Sequence, residues 1–196
     1  MRKVSVQGIS GSGKTTFAAA LAGRLGVPHL ETDALVHGPG WTETPDADLK
    51  AAMEPVVSSE GWVIDSDYRR KLGTLVLENA DTVIWLDLPL HVCLRRLARR
   101  TFGRMVLGHE IWNGNRESFR SAFGGWDSLF VFAVRKHISQ RRTFPEILAR
   151  PGLAHLEVVR LRSPRAVRAW LETIPPAQFR GQARNCGAIP PGLGEP

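Results

Sequence analysis

Along the first 174 residues, short apolar runs alternate with segments whose apolar positions recur every three or four residues. Val4-Ser5-Val6 starts the series as a strand over Lys3–Gln7, and the Gly-rich stretch Gly8–Lys14 follows. From Thr15 the pattern is helical, with Phe17, Ala18, Leu21, Ala22 and Leu25 on one face. Gly26 and Pro28 end that helix. His29-Leu30-Glu31 reads as a second strand reaching to about Asp33, and residues 38–46 read as a loop. Asp46 is expected to cap a helix over 47–58. Trp62-Val63-Ile64 is a third strand ending at Asp65, with a helix over 70–78 behind it. Thr82–Leu86 is nearly all apolar, as a parallel strand covered on both faces would be. Pro89 opens a helix expected to run to Arg100. Residues 102–125 hold five glycines and little period, whereas Leu129–Leu148 looks helical. Leu156–Leu161 is a fifth strand, and Ser163-Pro164 opens a last helix over 164–173.

Five apolar strands alternating with helices predict an α/β domain built on a parallel sheet, in one unit over residues 1–174. Residues 175–196 hold five prolines and four glycines and are expected to be a disordered tail. The chain has 196 residues, 43% hydrophobic and 23% charged, which excludes fibrous and disordered classes. No run approaches 18 apolar residues, and the apolar start is too short for a signal-peptide core, so a cytoplasmic protein is expected. Two cysteines, Cys93 and Cys186, form no CxxC pair and suggest no disulfide framework. Charge is uneven. Residues 1–94 carry 8 Lys/Arg against 12 Asp/Glu, while residues 95–150 carry 12 against 4. The basic excess therefore sits in one middle segment and is almost all arginine, a residue suited to bidentate phosphate contact.

Gly8-Ile9-Ser10-Gly11-Ser12-Gly13-Lys14-Thr15 fits the pattern G-x-x-x-x-G-K-[ST], with a strand before it and a helix after it. Glycines let successive backbone N–H groups turn inward around a phosphate. The helix that follows offers unpaired amides and a positive dipole end. Lys14 supplies a cation to the β- and γ-phosphates of ATP, and Thr15 a hydroxyl to Mg²⁺. Gly8, Ser10, Gly11, Ser12, Gly13, Lys14, Thr15 and Thr16 are the expected nucleotide contacts.

Ligands of open α/β sheets sit outside the carboxyl ends of the strands. Asp33, Asp65 and Asp87 all fall there. Asp65 in WVID and Asp87 in WLDLP have the same local form, so both are candidates to order a Mg²⁺ shell through water. Asp33 is a candidate base for an acceptor hydroxyl, and a carboxylate there would repel a phosphorylated acceptor. The segment 33–60 carries Asp33, Glu43, Asp46, Asp48, Glu54 and Glu60 against Lys50 alone, which again favours a hydroxyl acceptor. Trp41 is a candidate wall of the acceptor pocket.

The phosphate loop, Asp65 with Arg69, and WLDLP before a helix with Arg96 and Arg100 resemble the adenylate-kinase-like P-loop kinases. The resemblance implies a three-layer α/β/α P-loop NTPase fold with a five-stranded parallel sheet and a small lid. It implies an acceptor-side insert over 34–60 and a lid-like segment over 101–126. Arg69 takes the place of the arginine that holds the acceptor in adenylate kinases. Arg96 and Arg100 fit the R-x-x-x-R pair that opens the lid, as do Arg95 and Arg99. Arg116 in the lid, with Arg120 beside it, is placed to meet the transferring phosphate, and Arg162 to reach the adenine. A nearer resemblance is to the proteins known as DNA topology modulation proteins, carried by GPGWTETP, WVIDSDY, ADTVIWLDLP, HEIWNGNRESF and RLRSPRAVRAWL. That branch reads Asp-Gly-Asn-Tyr where this chain has Asp65-Ser66-Asp67-Tyr68. Two functions stay open at this point. One is a kinase moving the γ-phosphoryl group of Mg·ATP to a small molecule such as a nucleoside or nucleotide. The other is a nucleic-acid-binding NTPase that contacts DNA through the basic segment.

Overall fold

The computed structural model describes residues 1–66, 68–107 and 129–177, with Trp41, residues 104–107 and Leu129 described by backbone alone. Five parallel strands lie in the order β2-β3-β1-β4-β5. They are β1 (Lys3–Gln7), β2 (His29–Glu31), β3 (Trp62–Asp65), β4 (Thr82–Leu86) and β5 (Glu157–Leu161). The first strand in sequence is thus central in space, with Val4 beside Val63 on one side and beside Thr82 on the other. Because side chains alternate along a strand, β3 and β4 each feed two separate cores. Val4, Val6, Val63, Ile84 and Leu86 pack under α1 (Lys14–Leu25) and α8 (Pro164–Glu172). Trp62 and Ile64 turn the other way, under α3 (Asp46–Ser58) and α5 (Leu75–Asn79). Val83 and Trp85 share that second side with Phe144 of α7 (Leu129–Leu148). Both layers are filled, and the all-apolar strands follow from it.

Local differences from the sequence expectations have local causes. The second strand stops at Glu31, and Thr32–Val36 forms a short helix, α2, whose first turn holds Asp33. Residues 38–46 are not a plain loop. They contain a 3-10 turn, Pro39–Trp41, and His37 bridges Glu43. Asp46 is the first helical residue of α3 rather than its cap; Pro45 takes that place, and the Asp46 carboxylate bonds Lys71 instead. The helix expected over 70–78 is two short ones, α4 (Arg69–Leu72) and α5, parted by Gly73 at φ 61. The helix after β4, α6, does not stop at Arg100 but continues over Leu90–Leu107, so residues 101–107 of the lid-like segment are helical. Ser163 caps α8 by accepting from the Ala166 amide at 3.1 Å. The rest of the lid-like segment, with Arg116 and Arg120, and the tail from residue 178 lie outside the described residues. No helix among the described residues is long and apolar enough to cross a membrane.

Candidate active site at the carboxyl edge of the sheet

The phosphate loop leaves β1 at its carboxyl end and enters α1 at Lys14. Two of its glycines are in the left-handed region, Gly11 at φ 80 and Gly13 at φ 88. Gly11 also has no room for a side chain, since a Cβ there would run into the Cys93 carbonyl of α6. The Ser12 amide bonds the Ile9 carbonyl at 3.0 Å, which closes the turn. From α6, Arg96 donates to the Ser12 carbonyl at 3.0 Å. Arg96 and Arg100 line, with Lys14, Thr15 and Thr16, a cleft of about 160 Å³ over the loop. Of the two spacings left open in sequence, this is the pair at the cleft; Arg95 and Arg99 are exposed and do not line it.

Lys14 reaches across the cleft floor. Its Nζ lies 3.9 Å from Asp33 Oδ2, with both side chains largely shielded from solvent. Asp33 in turn accepts from the Tyr68 hydroxyl at 2.5 Å. Asp65, at the end of β3, shares the face of Val63 and so points toward α1. It is fully buried, and no hydrogen bond of full geometry reaches either oxygen among the described residues, although the Thr15 hydroxyl stands near. Burial raises its pKa; the Thr15 hydroxyl and the Lys14 charge oppose the rise, and Glu31 adds to it. Among the described residues, His29 Nε2, 3.9 Å from Asp65 Oδ2, and the Ser12 hydroxyl are also buried without hydrogen-bond partners. Orphaned polar atoms of this kind are costly unless a ligand completes them.

Asp87 is the opposite case. Arg141 Nε donates to one of its oxygens at 2.6 Å, and Arg160 Nε and NH2 donate to the other at 3.0 and 2.7 Å. Two guanidinium groups thus hold Asp87, whereas Asp65 has no such partner among the described residues. Arg160 also stacks on Trp85, its carbon 4.1 Å from the ring centre. Arg69 is not seen turned to the acceptor side: its guanidinium lies over the Phe144 ring at 4.7 Å. The cation that meets the acceptor-side segment is Lys71, with Glu43 Oε2 at 3.0 Å, Asp46 Oδ1 at 3.2 Å and the Thr44 carbonyl at 3.2 Å. Arg70 adds its charge at Glu43. Lys71 holds the Glu43 carboxyl below the usual range. Arg162 is exposed beyond β5 and does not line the cleft, and the Trp41 side chain lies outside the described residues. Sequence reading passed over Tyr68, His37, Lys71, Arg141 and Arg160 as site residues. Of these, Tyr68 stood in the quoted motif WVIDSDY and Arg160 opened RLRSPRAVRAWL.

A parallel five-stranded α/β sheet whose central strand runs into a glycine-bent phosphate loop, with a lysine and a threonine opening the next helix, defines a kinase-like P-loop NTPase fold. No protein-family model matches the chain. It is 30% identical over 133 residues to the uncharacterized protein YqaC of Bacillus subtilis, a match covering 66% of this chain and 72% of that one. The chain belongs to the same family as that protein. It is 32% identical over 114 residues to a cytidylate kinase of Halobacterium salinarum, covering 50% of this chain. The match spans 57% of that relative's length, and 62% of a second cytidylate kinase from Natronomonas pharaonis. Among solved structures, the shikimate kinase of Acinetobacter baumannii in complex with shikimate superposes with a TM-score of 0.53 at 15% identity, over 89% of this chain and 90% of that one. At that identity the likeness is one of fold.

Proposed function

We propose that the chain is an ATP-dependent phosphotransferase acting on a hydroxyl group of a small molecule. The observation that carries this is the approach of Lys14 to Asp33, which sets a phosphate-binding cation 3.9 Å from an acceptor-side carboxylate. The loop amides and Lys14 would hold the nucleotide phosphates, with Arg96 and Arg100 above them. Asp33 would take the acceptor proton. The geometry fits a Mg²⁺ ion held by the Thr15 hydroxyl and, through water, by Asp65, whose buried oxygens want donors or a cation. When bound, the ion would supply charge neutralisation between the phosphates. The site's charge favours a neutral or singly anionic acceptor, because Asp33 stands in it and Lys71 is already engaged by Glu43 and Asp46. Cytidylate and shikimate kinases carry different acceptors in their names, so the relatives support transfer without choosing an acceptor. The segments GPGWTETP and WVIDSDY support a place in the DNA topology modulation branch. The lid-like segment from residue 108 and the tail would complete the domain plan, with Arg116 at the transferring phosphate.

The test is a phosphorus NMR screen of hydroxyl-bearing acceptors with Mg·ATP, run on the parent and on Asp33→Asn. The parent should phosphorylate at least one such acceptor, and Asp33→Asn should lower that rate by a factor of about 10²–10⁴, the usual loss of a general base, with the ATP Michaelis constant little changed. AMP as the best acceptor, turnover stimulated by DNA alone, or a full rate in Asp33→Asn would sink the proposal.

A further inference from the structure

The Tyr68 hydroxyl lies 2.5 Å from Asp33 Oδ1 and 3.3 Å from His37 Nε2. A phenol has one hydrogen to donate, and a carboxylate only accepts. The hydrogen therefore goes to Asp33, and His37 Nε2 can bond the phenol oxygen only in the tautomer that carries a hydrogen on it. In that tautomer the three groups form one directed chain ending on Oδ1. The other oxygen, Oδ2, is the one that faces Lys14 at 3.9 Å. The carboxylate is thus tied at one oxygen from the acceptor side and presented to the phosphate loop with the other.

The backbone is bent to make this possible. Tyr68 sits at φ 41, ψ 47 and Ser66 at φ 72, conformations uncommon for residues with a side chain. Such positions persist only where the surroundings hold them. Here the Lys71 and Leu72 amides bond the Tyr68 carbonyl at 2.8 and 2.9 Å, the Ser66 amide bonds the Val6 carbonyl, and the ring stands edge-on to His37.

We propose that Tyr68 is a positioning residue for Asp33, its hydroxyl fixing the carboxylate so that Oδ2 alone meets the acceptor hydroxyl beside the terminal phosphate. The role rests on the phosphotransferase reading. In the transfer, the acceptor O–H proton passes to Oδ2 as the acceptor oxygen bonds the γ-phosphorus. The bond from that phosphorus to the β–γ bridging oxygen breaks, and ADP leaves. Tyr68 touches neither reactant. Burial, and then the Asp33 charge and hydrogen bond, push the phenol far above its ordinary range, with Glu43 and Asp65 adding to the push, so it remains a donor at any working pH.

Tyr68 is the chain's only tyrosine, so tyrosinate absorbance reports it without interference. In the parent that absorbance should stay absent well past the ordinary phenol value of about 10. In Asp33→Asn it should appear at lower pH, because the negative charge beside the phenol is gone. With a phosphorylatable acceptor, Tyr68→Phe should lower turnover at saturating substrates, by up to about a hundredfold as misplaced groups do, and leave the ATP Michaelis constant unchanged. Added to Asp33→Asn, it should cost nothing more, since the carboxylate it positions is absent. Equal phenol titration in parent and Asp33→Asn, a Tyr68→Phe variant as fast as the parent, or losses that multiply in the double variant would each overturn the proposal. A parent that phosphorylates no acceptor removes the reading and the role together. An active parent with an indifferent Tyr68→Phe removes the positioning alone.

Discussion

At the carboxyl end of β3, Asp65 is buried with no hydrogen bond of full geometry to either oxygen among the described residues; at the end of β4, Asp87 is just as buried but receives three N–H bonds from two arginines. The two stretches, WVID and WLD, are close in sequence. What separates them is the phase of each strand. Asp65 continues the face of Val63, under α1, and so meets the phosphate loop. Asp87 lies two positions on from Trp85, whose face is covered by α7, and α7 supplies Arg141. A buried carboxylate is tolerable when it is fully bonded, and costly when it is not. The fold spends its arginines on one aspartate and leaves the other open to a ligand.

Three experiments press on that contrast. Asp87→Ala should have the largest effect on the empty protein, a loss of about 2 kcal/mol in urea unfolding, the scale of charge-assisted hydrogen bonds with partly exposed arginines left behind. An unchanged midpoint would mean the arginine clamp is not structural. Asp65→Asn should do the reverse without nucleotide or metal, raising the melting temperature by ~3 °C, about what 1 kcal/mol gives a chain of this length. Its sign follows from the raised pKa of Asp65, caused first by burial. The folded state holds that proton more tightly than the unfolded one, so the carboxylate costs stability above the folded pKa and costs nothing below the ordinary aspartate range. The gain from Asp65→Asn should therefore vanish when melting is followed down through about pH 4. A gain that persists in acid would show that charge is not its cause. The smallest effect belongs to Ser66→Gly, just past β3. Glycine relieves the left-handed backbone at φ 72 but gains freedom in the unfolded chain, for a net stabilisation of roughly 0.5–1 kcal/mol in thermal melts. Destabilisation would mean that the Ser66 side chain contributes something beyond its backbone.

The strands, their order of use and the phosphate loop were legible because each depends on a short stretch of chain. Val4–Val6, Val83–Leu86 and the glycines carry their own signal. What was hidden is what distant residues decide. The Asp87 clamp joins positions 54 and 73 residues apart, and in all-apolar strands the phase that sorts Asp65 from Asp87 leaves no mark. The helix expected to end at Arg100 runs on through Gly103 to Leu107, whereas Gly73 does break a helix because its φ is positive. Tyr68 looked like one more aromatic of a quoted motif. Its part at the site depends on the αL turn that aims its hydroxyl at Asp33, 35 residues earlier.

Helix α6 touches the phosphate loop twice within its first two turns, by the Cys93 carbonyl against Gly11 and by Arg96 on the Ser12 carbonyl. From there it runs on as one piece to Leu107. Eighteen helical residues make a rod of about 27 Å. Pinned at one end, such a rod is a lever arm: a tilt of about 10° at the loop sweeps its far end through roughly 5 Å, given that length. Because glycine at position 11 lets the two backbones meet with no side chain to cushion the contact, motion of the loop passes to the arm with little slack.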